Sequence, residues 1–567
     1  MPPRWLPSGS WLSLTAAGRF RSNQVASFLV PRLHDNRSPR RSTGTSRHVA
    51  SSSRPSPPCP THIRSNNSHP ASTPTPTSPS ADTIFALATG AGRAGVAIIR
   101  ISGPSSPLIY THLCLTSRLT PYTRLPPPHK LVLRNIHHPS THELLDAGAG
   151  VIYFPAGRSY TGEASLELHV HGGAATVAAV LDALGEVQGV RMAEAGEFTR
   201  RAFEGGRMDL AEAEALGGLV AAETAVQRRV ALQGAQGLQG RRFEEMRRVL
   251  LDAMAMVEAL IDFSDEDGVE EGTWQAATRS VDQLATLLRS ELGVSFSAER
   301  AGEQVGVKTQ VRHVGEILTT GIRLAIYGPP NAGKSSLLNR LADRNAAIVS
   351  DIPGTTRDVL QVHLDLAGYK VIVYDTAGIR DVPQTPTSLD EIERIGIQRA
   401  KDVVAAADLA LLVTPSSSTR PLDILRPDSY TADDPDLVFY NKSDLLPSPA
   451  PPLPSSPKQR TWRGSVKTNT GLPSLITDLA ALISRKYALD TAEPALITQS
   501  RHRALLLQCL AHIDAFQHSA KGGHDVDLVL AAEHLRCAAK QIGRITGRDV
   551  SPDEILGSIF STFCIGK

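Results

Sequence analysis

The chain has 567 residues, with 59 basic and 57 acidic side chains and 5 cysteines. At ~150 residues per domain the length suggests about four units. The sparse cysteines, without paired metal-ligand spacing, argue against a disulfide framework. No segment beyond the leader approaches the ~20 apolar residues of a membrane span, which predicts a soluble mature protein.

Residues 1–80 stand apart, with ten arginines, no lysine, and Asp35 as their one acid. Rich in Ser, Pro and Thr, they cannot bury enough apolar surface to fold alone. Trp5, Leu6, Trp11, Leu14, Phe20, Phe28 and Leu29 lie among Arg19, Arg21 and Arg32. That pattern reads as a mitochondrial transit peptide; a plastid address and a disordered tail without an address are the alternatives. Beyond the leader, 49 basic residues face 56 acidic ones. This balance does not advertise general nucleic-acid affinity, so RNA contact must come from a local patch or a partner.

Residues 82–200 alternate short apolar runs with Gly and Pro turns, as in GVAIIRISG (95–103), GAGVIYFP (148–155) and LELHVHGG (166–173). They predict an α+β domain. From about 208 the period becomes helical, at Leu210, Ala213, Leu216, Leu219 and Val220, then at Val249, Met254, Val257, Leu260 and Ile261. This patterning predicts a helical bundle to about 316. Between 321 and 485 the runs LAIYG, KVIVYD, LALLVT and LVFYN each precede a chemically rich loop, the pattern of a parallel sheet with flanking helices. Helical spacing returns after about 495 at Leu505, Cys509, Ile513, Val529, Leu535, Ala538 and Ile542. The simplest arrangement is one helical domain interrupted by an inserted nucleotide domain; two separate helical units are the alternative. The predicted segments are a leader (1–80), an N-terminal domain (81–203), a first helical part (204–317), an inserted α/β P-loop domain (318–487) and a second helical part (488–567). The Pro/Ser-rich stretches 415–437 and 445–458 read as surface insertions.

Gly328-Pro329-Pro330-Asn331-Ala332-Gly333-Lys334-Ser335 is a complete G-x-x-x-x-G-K-[ST] loop, set between a strand and a helix predicted to start near Ser336. Backbone N–H groups of such a loop cradle phosphates, helped by the positive potential of the helix N-terminus. Lys334 supplies a cation to the β/γ oxygens and Ser335 a hydroxyl to Mg²⁺. Asp375-Thr376-Ala377-Gly378 follows a strand, with a carboxylate for Mg²⁺ and a Gly378 N–H for the γ-phosphate. Between these motifs, Thr356 in Gly354-Thr355-Thr356-Arg357-Asp358 can ligate Mg²⁺ only while the γ-phosphate is present. Asn441-Lys442-Ser443-Asp444 follows a further strand. The Asp444 carboxylate accepts from N1–H and the N2 amine of guanine, a donor pair adenine lacks, so the motif selects GTP over ATP. Ser465-Val466-Lys467 closes over the base.

Ras-like proteins orient the attacking water with a glutamine after D-x-x-G. Here that position is Ile379, which cannot. Two substitutes are visible. Asn331 can hold a monovalent cation beside the phosphates in place of an arginine finger. Glu393 can position water, although the residues alone equally allow a solvated helix carboxylate.

The sequence resembles the MnmE (TrmE) family of tRNA-modification GTPases over about residues 82–567. The resemblance rests on DTIFALATGAGRAGVAIIRISG (82–103), SYTGEASLELHVHGG (159–173), AGEFTRRAF (195–203), MDLAEAEAL (208–216), GPPNAGKSSLLN (328–339), AAIVSDIPGTTRDV (346–359), DTAGIR (375–380), ERIGI (393–397) and the terminal FCIGK (563–567). It implies an N-terminal domain that binds a one-carbon tetrahydrofolate, a helical domain and an inserted GTPase domain, with homodimerisation through N-terminal and GTPase domains. By motif position it implies K⁺ ligation by Asn331, Ser350, Ile352 and Thr355, and Mg²⁺ ligation by Ser335 and Thr356. It makes Glu393 the residue that polarises water.

For folate, the resemblance implies Arg100, Glu167 and Lys567, with Arg207 where relatives usually carry lysine. Arginine keeps the charge but presents a planar fork and not a point donor. Ser350 stands where bacterial relatives often have threonine. The family works with an FAD-containing MnmG/GidA partner and adds a carboxymethylaminomethyl-type group, or a taurinomethyl group in animal mitochondria, to the wobble uridine of certain tRNAs. Cys564 is either a nucleophile or proton donor, or a buried apolar residue. The rival readings are a ribosome-assembly GTPase that only binds RNA and a signalling switch. The negative mature charge and the FCIGK tail argue against the first.

Overall fold

The structure, a computed structural model, describes residues 82–262, 270–293, 313–344, 361–375, 398, 400–418, 424–447, 451–453, 457–488, 495–520, 526–548, 560, 563 and 566. All lie within the unit Thr73–Lys567; the predicted leader lies outside the described residues.

The first sheet is built from β1 (Thr83–Leu87), β2 (Val96–Ser102), β3 (Cys114–Leu115), β4 (Val132–His137), β5 (Leu144–Phe154), β6 (Ser165–His171) and β7 (Val190–Met192). Their order is β3-β4-β5-β6-β2-β1-β7, and the β1–β7 pair alone is parallel. Side chains alternate between the faces of a strand. Ile99, Ile101, Leu166, Leu168 and Val151 therefore share one face and are fully buried. Beneath them pack α1 (Ser106–Leu113) and α2 (Ala174–Gly185), through Ile109, Leu113, Val180 and Leu184. The opposite face carries Arg100, Glu167 and His169, together with exposed Val96, Leu131 and Leu133. The short α3 (Glu197–Glu204) leads out of this layer.

Helices α4 (Leu210–Val220), α5 (Ala225–Ala235), α6 (Leu238–Asp262) and α7 (Glu270–Leu292) follow. Capping boxes start two of them, Asp209 with Glu212 before α4 and Thr224 with Gln227 before α5. Each box satisfies backbone donors that a helix start leaves open. On α6, Phe243, Met246, Leu250, Ala253, Val257 and Leu260 recur every three to four residues and are buried.

A short helix α8 (Val314–Thr320) enters the second sheet: β8 (Ile322–Tyr327), α9 (Lys334–Arg344), β9 (Gln361–Leu366), β10 (Tyr369–Asp375), β11 (Leu409–Pro415), β12 (Asp436–Asn441), β13 (Gln459–Arg463) and α10 (Leu472–Lys486). The order is β13-β12-β11-β8-β10-β9, parallel except for the β9–β10 hairpin. The chain returns through α11 (Ser500–Ala520) and α12 (Leu528–Thr546). Phe243 and Leu250 of α6 share one core with Leu506, Ile513, Leu535 and Ile542 of α11 and α12. Helices on both sides of the second sheet in sequence thus form one packed body.

Two residues of the helical periodicity do not face the core. Val529 is 66% exposed, because it stands two positions before buried Ala531 and points about 200° away around the helix. Val220, the last residue of α4, is 44% exposed. Cys114 and Cys509 are buried, and burial pushes both thiols up to about 12. Cys537 is only partly buried, and its thiol donates to Glu533 Oε1. Among the described residues no helix is long and apolar enough to cross a membrane.

Candidate functional site

The second sheet presents the loop 328–333 between β8 and α9, with the helix beginning at Lys334, two residues earlier than the sequence suggests. Backbone geometry explains its glycines. Gly328 sits at φ +140°, and a Cβ there would collide with the Val413 carbonyl of β11. Gly333 sits at φ +93°, where a Cβ would strike the Asn441 side-chain amide. Both positive φ values favour glycine independently of space. Asn331 adopts φ +62°, a conformation asparagine tolerates better than most residues, and is exposed. Lys334 is only 8% exposed, and its Nζ donates to the carbonyls of Gly328 (2.9 Å) and Pro329 (3.0 Å). The ammonium is thereby held over the loop. Ala332 is buried, while Ser335 and Ser336 are exposed in the first turn of α9. Asp375 ends β10 in register with Ile326 of β8, which places the start of the D-T-A-G motif beside the loop, at the carboxyl ends of neighbouring parallel strands. Open α/β sheets bind ligands at that end.

Asn441 joins the loop to the opposite wall. It is 3% exposed at the end of β12; its Nδ2 donates to Ala332 O (2.8 Å) and its Oδ1 accepts from Val466 N (3.1 Å). Lys442 takes φ +61° and leads into a 3₁₀ turn that carries Asp444. A hydrogen bond from Ser465 chiefly holds the exposed Asp444 carboxyl below its ordinary range. Ser465 itself is buried. A cavity of about 600 Å³ lies among Gly333, Asn441, Lys442, Asp444, Ser465 and Lys467. Asn339, Arg340 and Asp343 of α9 line it as well. The sequence reading missed these three; the available signal was their helical spacing after Ser336. Ser350, Ile352, Thr355, Thr356, Thr376, Ala377, Gly378, Ile379 and Glu393 lie outside the described residues.

The first sheet gathers a second group. Arg100 of β2 stands opposite Glu167 of β6, and its Nε donates to Glu167 Oε1 at 3.1 Å. The Arg100 guanidinium lies 5.2 Å from the Tyr160 ring centroid and 5.9 Å from that of Phe198. Glu167 Oε2 is 3.5 Å from His169 Nε2. Among the described residues no hydrogen bond or ion pair joins Arg207 to this pair. Arg207 packs outside the 157–162 turn, with Nη1 3.4 Å from Gly157 O. Cys564 and Lys567 lie outside the described residues, but their neighbours are placed. Phe560 is buried with Leu210 and Ala213 of α4, and Phe563 packs against that cluster and beside Gly217. Gly566, at φ +97°, lies so close to Leu87 O that a Cβ would collide. Ala86, one residue before Leu87, pairs with Arg100. Phe560 and Phe563 thus lie at α4, and Gly566 lies at β1, the strand paired with the one that carries Arg100.

A phosphate-type loop closing a parallel α/β sheet, with an Asn-Lys-x-Asp turn tied to it, defines a P-loop GTPase-like fold joined to a helical and an N-terminal domain. The family model "GTP-binding protein TrmE N-terminus" matches residues 83–207, and "MnmE helical domain" matches residues 210–564. The chain is 40% identical over 514 residues to "5-taurinomethyluridine-[tRNA] synthase subunit GTPB3, mitochondrial" of Danio rerio, covering 86% of this chain and 94% of that one. It is 39% identical to the protein of the same name from Mus musculus, covering 86% and 93%. It is 41% identical to "tRNA modification GTPase MnmE" of Parvibaculum lavamentivorans, covering 86% and 100%. The chain belongs to the MnmE/TrmE family of tRNA-modification GTPases; it is a GTP hydrolase that acts in tRNA modification.

Proposed function

We propose that this GTPase acts in mitochondria, with an FAD-containing MnmG/GidA-like partner, to modify C5 of the wobble uridine of mitochondrial tRNAs. The observation that carries the reading is the seat of Gly566, which lies against Leu87 at the end of β1, the strand paired with the one that carries Arg100. Segments far apart in sequence thus come to one region of the first sheet, which supports a shared site there. In this reading Arg100, Glu167 and Lys567 hold a one-carbon tetrahydrofolate, with Arg207 at the outer rim, and Cys564 works beside it. The exposure of Val96 (54%), Leu131 (57%) and Leu133 (67%) on the same open sheet face supports pairing of two N-terminal domains over it.

At the nucleotide, Gly328 to Ser336 surround the phosphates and Lys334 neutralises their charge. Asp375 to Gly378 lie at the γ-phosphate. Asn441, Lys442, Asp444, Ser465 and Lys467 hold guanine. Ser335, exposed in the first turn of α9, would hold Mg²⁺, with Thr356 as its second ligand; when bound, the ion would supply charge neutralisation at the phosphates. The exposed amide of Asn331 fits K⁺, with Ser350, Ile352 and Thr355 completing the shell and a second GTPase domain closing over it. Glu393 polarises the water. The Arg-rich leader and the two relatives named as mitochondrial support the location.

Mass spectrometry of mitochondrial tRNA from cells lacking the protein tests this reading. The expected result is loss of the C5 wobble modification and its return with the unmodified chain. An unchanged modification profile overturns it.

A further inference from the structure

This inference rests on the folate reading of Arg100 and Glu167 and deepens it. Two motifs have no role once the nucleotide and folate residues are assigned, Ser159–Glu163 and Glu197–Arg201. In the structure both converge on Arg100. The guanidinium lies against the Tyr160 ring at 5.2 Å and near the Phe198 ring at 5.9 Å. Phe198 is fully buried, so its ring is fixed by the core. Tyr160 OH is 2.9 Å from Thr199 Oγ1, which ties the loop bearing Tyr160 to the helix bearing Phe198.

An ionic frame beneath holds both motifs in place. Arg201 is 6% exposed, and its Nη2 donates to Asp82 Oδ1 and Glu197 Oε1, each at 2.9 Å. Its Nη1 reaches Glu163 at 3.3 Å. Ser102, at the end of β2, donates to Glu163 Oε2 at 2.7 Å and lies 2.6 Å from Thr161 Oγ1. The strand that carries Arg100 is therefore bonded to the loop that carries Tyr160.

An arginine side chain has several rotatable bonds, and one contact at Nε leaves the plane of its head free to turn. A ring face on the guanidinium restrains that plane and adds cation–π attraction. Nε is occupied by Glu167, and neither Nη of Arg100 has a hydrogen-bond partner among the described residues. The two Nη groups form a fork of fixed orientation, suited to a planar edge with two acceptors. We propose that Tyr160 is a positioning residue that sets the plane of the Arg100 guanidinium, so that its two Nη groups meet a two-acceptor edge of a one-carbon tetrahydrofolate.

The test is titration of the full chain with 5-formyltetrahydrofolate as the probe. Tyr160→Ala is expected to raise Kd on the order of ten-fold, or ~1.4 kcal/mol. Tyr160→Phe, which keeps the ring, is expected to stay within about two-fold. Tyr160→Leu fills the space without a π face and is expected to match alanine, which keeps the test usable if the alanine variant fails to fold. A purely structural role for Tyr160 predicts additive effects with Arg100→Lys; orientation of the planar fork predicts that the lysine substitution costs little once the ring is gone. Unchanged binding in Tyr160→Ala and Tyr160→Leu, an equal loss in Tyr160→Phe, or additivity overturns the inference. If Arg100→Ala itself binds the probe as tightly as the unmodified chain, the folate reading falls.

Discussion

Lys370 Nζ lies 2.6 Å from Glu223 Oε2, so the turn side of the β9–β10 hairpin is clipped to the start of α5. Val226 N donates to Gly368 O at 3.1 Å beside it, and Gln227 Nε2 donates to Thr319 O at 2.8 Å. The pair is largely enclosed, with side-chain exposures of 14% and 24%. The hairpin strands run directly from the 351–360 segment and into Asp375. Removing one partner of an enclosed pair strands the other charge. Lys370→Ala should therefore lower unfolding free energy by about 1–2 kcal/mol, measured by denaturant titration. The double variant Lys370→Ala/Glu223→Gln should be no worse than the single one. Simple additivity would show that the contact carries no energy.

Asp444→Asn should weaken GTP on the order of 10- to 100-fold, since the proposal makes the carboxylate the acceptor for both guanine donors. Affinity for xanthosine triphosphate should rise in relative terms, since the amide can donate to the extra carbonyl. Titration with both nucleotides decides the matter; an unchanged preference removes the Asn441–Asp444 assignment.

GTP turnover should be faster in K⁺ than in Na⁺ at matched ionic strength, by about ten-fold or more, if the cation proposed at Asn331 takes the part of an arginine finger. Asn331→Ala should erase the difference while GTP affinity is largely retained. Turnover per molecule should rise with protein concentration if a second copy closes the site. Equal rates in both salts for the unmodified chain refute the cation mechanism and leave the GTPase standing.

Burial raises the Asp209 carboxyl to about 6 from 3.8. A raised folded-state value means that its contribution is fully present below about pH 3.8 and lost as pH rises through about 6. Asparagine keeps the acceptor that caps α4 and carries no charge. Asp209→Asn should thus be more stable than the unmodified chain at pH 8 by about 1–3 kcal/mol, with the gap closing near pH 4. Parallel stability curves across that range would contradict the enclosed-carboxyl account.

Deleting Cys564–Lys567 should leave GTP hydrolysis nearly intact and abolish tRNA modification. Phe560 and Phe563 remain to hold the tail on α4, so the loss falls on the end that meets β1. Full modification by the truncated chain would remove the tail from the chemistry.

The nucleotide machinery was legible in the amino-acid order because its chemistry is local: Gly328 to Ser335 carry their own backbone requirements, and Asn441 to Asp444 follow a readable strand. The period of the apolar residues likewise marked helices and strands without reference to their neighbours. It misjudged Val220 and Val529, where helix position decides exposure. Tertiary structure alone decided the rest. Asn441 reaches 109 residues back to Ala332, and Arg100 reaches 67 forward to Glu167. Phe560 and Gly566 come to α4 and β1 from the far end of the chain, and Tyr160 comes to Arg100 from a neighbouring loop. Such meetings depend on sheet register and on which helical faces pack together. Neither is written in any short window of sequence, since each follows from burying the whole set of apolar faces at once.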